Sequence, residues 1–176
     1  MKSILFLRHA KSSWGSPGTA DHERPLNGRG KAAAEAMAAH IAALEAPPPD
    51  LILCSTATRS RQALTPLLDR LVPAPTTLIE TGLYLASEDS LLERLQALQA
   101  KVGRVLVIGH NDGMWELATA LAGKGPAALL ASLAEKYPTG ALAVLDAPIE
   151  RWPDLATGQA TLTSFVCPRE LGEDGQ

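Results

Sequence analysis

Two histidines, each placed directly after a short apolar run, are the residues of this sequence best suited to chemistry. His9 follows Arg8 and the run at residues 4–7, and His110 follows a second run at residues 104–109. Histidine offers a nitrogen nucleophile that is substantially uncharged at neutral pH. Arginine offers a planar fork of donors that fits phosphate oxygens. The pair Arg8-His9 therefore suggests phosphoryl transfer to a histidine, although an Arg-His dipeptide alone is a weak motif.

The apolar runs predict buried strands that end at these two histidines. If the two strands are parallel neighbours, their carboxyl ends bring both imidazoles to one rim of a sheet, where open α/β sheets bind ligands. Arg59 follows a third run and stands at the expected start of a helix. A helix amino terminus attracts anions, so Arg59 could complete a phosphate clamp with Arg8. The alternative is a solvated arginine, as Arg61 would be.

The rest of the chain predicts alternating strands and helices. Strands are expected at residues 4–7, 50–54, 77–80, 104–109, 141–145 and 161–166. Helices are expected within residues 31–44, 55–71 (beginning near Thr58, with a kink at Pro66), 91–100, 114–121 and 127–136. This alternation predicts a single three-layer α/β domain over residues 1–176, with a mostly parallel sheet flanked by helices on both faces. The last few residues are expected to be disordered.

Composition narrows the class of protein. The chain has 176 residues, 46% hydrophobic and 20% charged, which is typical of one globular domain. A net charge of −3 argues against a nucleic-acid-binding face. Two cysteines, Cys54 and Cys167, without metal-ligand spacing give no reason to expect a metal. No apolar stretch is long enough for a membrane span, so a cytoplasmic protein is expected.

Several short motifs, taken together in their order, resemble the histidine phosphatase superfamily. They are Arg8-His9, Asp21-x-x-Arg24-Pro25-Leu26-Asn27-x-x-Gly30, Ser55-Thr56-Ala57-Thr58-Arg59, Leu83-Tyr84, Gly109-His110-Asn111 and Pro138-Thr139-Gly140-Ala141. The resemblance runs from Met1 to about Leu171. More narrowly, the chain resembles the short phosphohistidine phosphatase branch, the SixA type.

The resemblance implies a ping-pong mechanism that needs neither a metal nor another cofactor. His9 would attack phosphorus and become a phosphohistidine, from which water would release inorganic phosphate. Arg8, Arg59 and His110, the last as an imidazolium, would hold the phosphate oxygens. For His9 to attack in its neutral form, its other ring nitrogen should donate to a backbone carbonyl.

The proton donor and one departure from the family pattern stay open at this stage. Glu80, near the end of the third strand, and Asp21, in the first loop, are both possible acids; either could instead be a solvated or salt-bridged carboxylate. Asp112 stands where the branch usually has proline after His-Asn. Its carboxylate could raise the pKa of His110 and favour the imidazolium, or could repel phosphate.

The short connections leave only the loop at residues 11–30 as a possible lid, and an open site suits a phosphohistidine displayed on a protein. A phosphohistidine-bearing signalling protein is the expected partner. Lys11 and Trp14 in that loop could contact it, or Trp14 could instead be packed against the protein. Neither nucleic acid nor a membrane is expected as a partner. Two alternatives remain: a small-molecule phosphomonoesterase with the same site, and a non-catalytic module that binds phosphate or a phosphoprotein.

Overall fold

A seven-stranded sheet with helices on both faces organises the computed structural model, which describes residues 1–172. The strands β1 to β7 span Lys2–Arg8, Leu51–Ser55, Thr76–Glu80, Arg104–Gly109, Ala122–Lys124, Leu142–Ala147 and Ala160–Val166. The helices α1 to α6 span Gly28–Ala42, Thr58–Leu68, Glu88–Gln96, Gly113–Leu121, Ala127–Glu135 and Pro168–Leu171. Short 3-10 helices cover Asp21–Glu23, Thr81–Leu83 and Trp152–Asp154. The disorder expected for the last few residues concerns positions outside the described range.

The strand order is β3-β2-β4-β1-β6-β7-β5. Strand β1 runs parallel to β4, β2 runs parallel to both β3 and β4, and β5 runs parallel to β7. Only β6 is antiparallel to its two neighbours, β1 and β7. Arg8 stands opposite Gly109 in the β1–β4 register, so His9 and His110 leave the sheet side by side. The predicted α/β architecture with a mostly parallel sheet is confirmed.

The two faces of β1 explain why its run is apolar throughout. Ile4 and Phe6 pack into a core under α3, α4 and α5. Leu5 and Leu7 point to the opposite face and pack into a second core under α1 and α2. A strand buried on both faces reads as a continuous apolar run rather than an alternating one. Within residues 1–172, no helix is long and apolar enough to cross a membrane.

Capping residues place some helix starts earlier than periodicity predicts. Helix α1 begins at Gly28 because the Asn27 side chain accepts from the Gly30 amide at 2.8 Å. Helix α3 begins at Glu88 because Ser87 caps its first turn. Such side chains satisfy backbone N–H groups that have no partner within the helix. The short elements β5 and α6 were not predicted, because neither carries an apolar run of useful length.

Candidate active site

The two strand-end histidines lie in one pocket at the carboxyl edge of the sheet. Their ring centroids are 5.1 Å apart, and the residues are 7% (His9) and 3% (His110) exposed. The pocket has a volume of about 360 Å³ and opens to solvent. Its lining consists of Arg8, His9, Lys11, Ser12, Trp14, Arg24, Arg59, Leu85, His110, Asn111 and Thr139.

Hydrogen bonds fix the orientation of His9. Its Nδ1–H donates to the backbone carbonyl of Ala10 at 2.7 Å, which is the kind of acceptor the sequence led us to expect. On the other side of the ring, Nε2 accepts from Arg59 Nε at 3.3 Å. Burial, followed by the charges of nearby arginines, lowers the pKa of His9 to about 4. His9 is therefore neutral at physiological pH, with the lone pair on Nε2.

Arg59 lies in the first turn of α2 and is 4% exposed. Its Nη1 donates to the Asp21 carbonyl oxygen at 2.7 Å, and its Nη2 donates to Asp21 Oδ2 at 3.1 Å. Nη2 also lies 3.4 Å from His110 Nδ1. Arg61, two residues further along α2, is exposed. Of these two arginines, the helix thus directs only Arg59 into contact with both histidines.

His110 is held by the two serines of the β2–α2 segment. Its Nε2 lies 2.8 Å from Ser55 Oγ and 3.4 Å from Ser60 Oγ. Burial, together with the charges of His9 and Arg59, lowers the pKa of His110 to about 3. The ring is therefore neutral without a bound anion: Nδ1 accepts from Arg59 and Nε2–H donates to Ser55. This differs from the imidazolium expected from the sequence, because burial beside two arginines disfavours a further positive charge.

Arg8 and a residue of the segment after β4 donate hydrogen bonds to the same backbone carbonyl. Arg8 Nη1 and Asn111 Nδ2 both donate to the Tyr137 carbonyl oxygen, at 2.8 and 3.0 Å. Burial lowers the pKa of Arg8, and the exposed Asp112 carboxylate opposes that effect. The charge of Asp112 therefore acts on Arg8, whereas the groups that shift the pKa of His110 are its buried surroundings, His9, Arg59, Asp21 and Arg8.

The Asp21 carboxylate stands at the edge of the site and is ionised. It accepts hydrogen bonds from the Tyr84 hydroxyl, from Arg24 Nη1 at 2.8 Å and from Arg59 Nη2 at 3.1 Å. These bonds, that of Tyr84 first, hold the pKa of Asp21 well below its usual range. A carboxylate in this state carries no proton that it could donate at neutral pH.

Glu80 is not brought to the pocket. Its two carboxylate oxygens accept from Arg94 Nε at 2.8 Å and from Arg94 Nη2 at 2.7 Å, a bidentate ion pair between β3 and α3. Glu80 does not line the cavity that holds His9. The salt-bridged state considered for this residue is the one that the structure shows.

Sequence reasoning missed several residues that shape the site. The Tyr84 ring packs edge-on against His110 at 5.4 Å, and its hydroxyl binds Asp21. The Arg24 guanidinium lies 4.1 Å from the Trp14 ring, at the rim of the pocket. The positions of Tyr84 and Arg24 within the motifs quoted above were the available signal; the serine contacts to His110 had none.

Comparison with known proteins agrees with this geometry. The family model of the histidine phosphatase superfamily (branch 1) matches residues 4–81. The chain is 37% identical over 165 residues to an uncharacterized protein of Mycobacterium tuberculosis, and this alignment covers 93% of this chain and 100% of that protein. A provisionally assigned phosphohistidine phosphatase SixA from Agrobacterium tumefaciens has 34% identity and a TM-score of 0.79, covering 95% of this chain and 98% of that one. A second protein so assigned, from Nakamurella multipartitia, has 27% identity and a TM-score of 0.81, covering 95% and 96%.

The chain therefore belongs to the histidine phosphatase superfamily. Within that superfamily it belongs to the SixA-type branch, which it matches over nearly its whole length in both sequence and fold.

Proposed function

We propose that this protein removes phosphate from phosphohistidine on a protein, through a covalent phosphohistidine intermediate at His9. One observation carries the proposal: the bond from His9 Nδ1–H to the Ala10 carbonyl leaves the Nε2 lone pair inside a pocket lined by three arginines. A neutral imidazole held in one tautomer is the form that can attack phosphorus.

The reaction has two displacements. In the first, His9 Nε2 forms a bond to phosphorus as the phosphorus–nitrogen bond of the substrate breaks, and the departing imidazole gains a proton. In the second, water attacks phosphorus, the bond to Nε2 breaks and inorganic phosphate leaves. Arg8 and Arg59 stabilise the charge on the phosphoryl oxygens, a role that Mg²⁺ fills in many other phosphoryl-transfer sites.

The proton for the leaving group comes from solvent in this proposal. Asp21 is ionised, and Glu80 is paired with Arg94 outside the pocket, so neither is placed to protonate the leaving group. A phosphorylated imidazole has a free ring nitrogen that solvent can protonate in an open pocket. An alkyl phosphate has a poorer leaving group and would depend more on a dedicated acid.

The rim of the pocket supports a protein substrate. Trp14 is 83% exposed and Leu85 is 54% exposed, and both line the opening above His9. Exposed large apolar side chains at a site are typical of surfaces that contact another protein. The SixA-type proteins from Agrobacterium and Nakamurella are provisionally assigned the same substrate class. A phosphohistidine-bearing signalling protein is therefore the proposed partner.

The test is phosphate release from a phosphotransfer domain that carries phosphohistidine, compared with release from a simple aryl phosphate. We expect rapid release by the parent protein, none by His9→Ala and parent rates for His40→Gln, a histidine outside the pocket. Turnover of the aryl phosphate alone would indicate a small-molecule phosphomonoesterase. Binding of the phosphoprotein without turnover of either substrate would indicate a binding module.

A further inference from the structure

A second groove, lined within residues 1–172 by four cationic side chains and no carboxylate, adjoins the active-site pocket. Its volume is about 280 Å³. The lining, which we call the basic groove, consists of Lys11, Arg29, Ala33, Lys136, Pro138, Thr139, Cys167, Pro168 and Arg169. Lys11 and Thr139 also line the pocket that contains His9, so the two depressions are continuous.

The fold fixes the basic groove relative to His9. The Lys11 carbonyl accepts from the Asn27 amide at 3.0 Å, and a Cβ at Gly30 would lie 2.0 Å from that carbonyl oxygen. This close approach brings the first turn of α1, with Arg29, against the end of β1. On the other side, the Gly140 amide donates to the His9 carbonyl at 2.9 Å. The groove is therefore assembled from segments anchored to the backbone around the nucleophile.

The charges of the basic groove have no partner on the described part of the protein. Lys11, Arg29, Lys136 and Arg169 are all exposed, and within residues 1–172 none of them forms an ion pair. Over the same range five other arginines are paired and three (Arg8, Arg61 and Arg104) are not: Asp21 binds Arg24 and Arg59, Glu35 binds Arg70, Glu80 binds Arg94 and Asp154 binds Arg151.

The carboxylate that follows Arg169 in the sequence is otherwise engaged. Glu170 Oε2 accepts from the Cys167 amide at 2.5 Å, as a cap of α6. Four unpaired cations beside one another are unusual for a chain with a net charge of −3. Like charges repel, so an anionic partner in the groove would relieve that repulsion and would be attracted to it from a distance.

We propose that the basic groove binds an acidic segment of the phosphoprotein substrate, next to the phosphohistidine. This inference rests on the proposed function and adds a recognition site to it. A protein segment fits better than a second phosphate of a small substrate, because the four cations come from separate segments and all are exposed. Carboxylates spread along a chain match cations spread along a groove.

The test uses two phosphohistidine peptides of equal length, one with aspartates and glutamates beside the phosphohistidine and one with glutamines there. We expect the parent protein to have a kcat/KM about tenfold higher for the acidic peptide, with the difference shrinking as salt rises. In Arg29→Gln/Lys136→Gln the preference should fall to about twofold through KM, while kcat on the glutamine peptide stays unchanged.

A matched control removes two exposed charges elsewhere, in Lys101→Gln/Lys124→Gln, and should keep the full preference. Equal loss of the preference in the control would overturn the groove as the source of the preference, and so would persistence of the preference in the groove variant.

Equal turnover of both peptides by the parent would overturn the inference and leave the proposed function standing. Turnover of neither peptide, with turnover of an aryl phosphate, would overturn the proposed function itself. An effect of the groove variant on an aryl diphosphate but not on the peptides would assign the groove to a small anion and overturn the inference.

Discussion

Asp21 accepts hydrogen bonds from the guanidinium group of Arg59, the same group that donates to the nucleophile, His9. Arg59 donates through Nη1 and Nη2 to the backbone and side chain of Asp21, at 2.7 and 3.1 Å, and through Nε to His9 at 3.3 Å. The loop before α1 thus supplies an internal anion to an arginine that is proposed to bind phosphate. In the proposed mechanism Asp21 would act on the reacting phosphate through Arg59, as a positioning residue rather than an acid.

This arrangement predicts the outcome of Asp21→Asn. Removing the carboxylate charge frees Arg59 for an external anion, so inorganic phosphate should inhibit about threefold more strongly. The looser guanidinium should lower kcat by a similar small factor, equally for aryl phosphates with good and poor leaving groups. Steady-state kinetics over a series of such esters would measure both effects. A loss that grows steeply as the leaving group worsens would show that Asp21 donates a proton after all.

Arg59 and Arg61 lie on the same helix, so their alanine variants can be compared directly. Arg59→Ala removes the guanidinium that contacts both histidines, and removal of one such charge-stabilising donor costs about 10²–10³ in rate. We therefore expect kcat/KM to fall by about 10³. Arg61→Ala removes an exposed charge and should stay within about twofold of the parent. Comparable losses in the two variants would point to the charge of the helix end rather than to the contacts of Arg59.

Glu80→Gln should leave catalysis almost unchanged. The substitution breaks the ion pair with Arg94, a partly exposed pair whose loss costs about 1 kcal/mol or less of stability. Rates on a phosphohistidine protein and on an aryl phosphate should both remain within about twofold of the parent. A selective loss on the aryl phosphate would restore Glu80 as a proton donor.

The sequence predicted the parts of the site that depend on strand order and missed those that depend on helix packing. His9 and His110 each follow a buried run, and parallel pairing of the two runs is enough to bring them together. The pairing of Glu80 with Arg94 depends on how α3 packs beside β3, which no local pattern encodes. The neutral state of His110 likewise results from three-dimensional burial beside arginines, which spacing along the chain does not reveal.

Stability should fall as the pH drops from 6.5 towards 4. Burial lowers the pKa values of His9 and His110 from 6.5 to about 4 and about 3, so the unfolded chain binds more protons than the folded one in this window. Stability therefore rises with pH here, and its loss on acidification, summed over the two histidines, is on the order of 5 kcal/mol. Urea unfolding at several pH values would measure it.

The control for that measurement is His9→Asn/His110→Asn, which removes both titrating groups. Its stability should change much less between pH 6.5 and 4 than that of the parent. Asp21 does not interfere. Because its pKa is lowered in the folded state, its contribution to stability is present at pH values above the ordinary pKa of aspartate and is lost only at lower pH. An unchanged slope in the double variant would assign the dependence to other groups.

Anion binding should make His110 take up a proton. Without an anion, its Nδ1 accepts from Arg59, so the neutral ring has no hydrogen to offer an oxygen on that side. A dianion placed between the ring and the two arginines would reverse the local charge and raise the pKa of His110. Sulfate stays a dianion at pH 5–7, so its affinity should increase as the pH falls through this range. Calorimetry in buffers of different ionisation enthalpy would count the protons taken up. His110→Asn should bind sulfate more weakly and without uptake, whereas uptake that persists in this variant would place the proton on His9, where it would block the nucleophile.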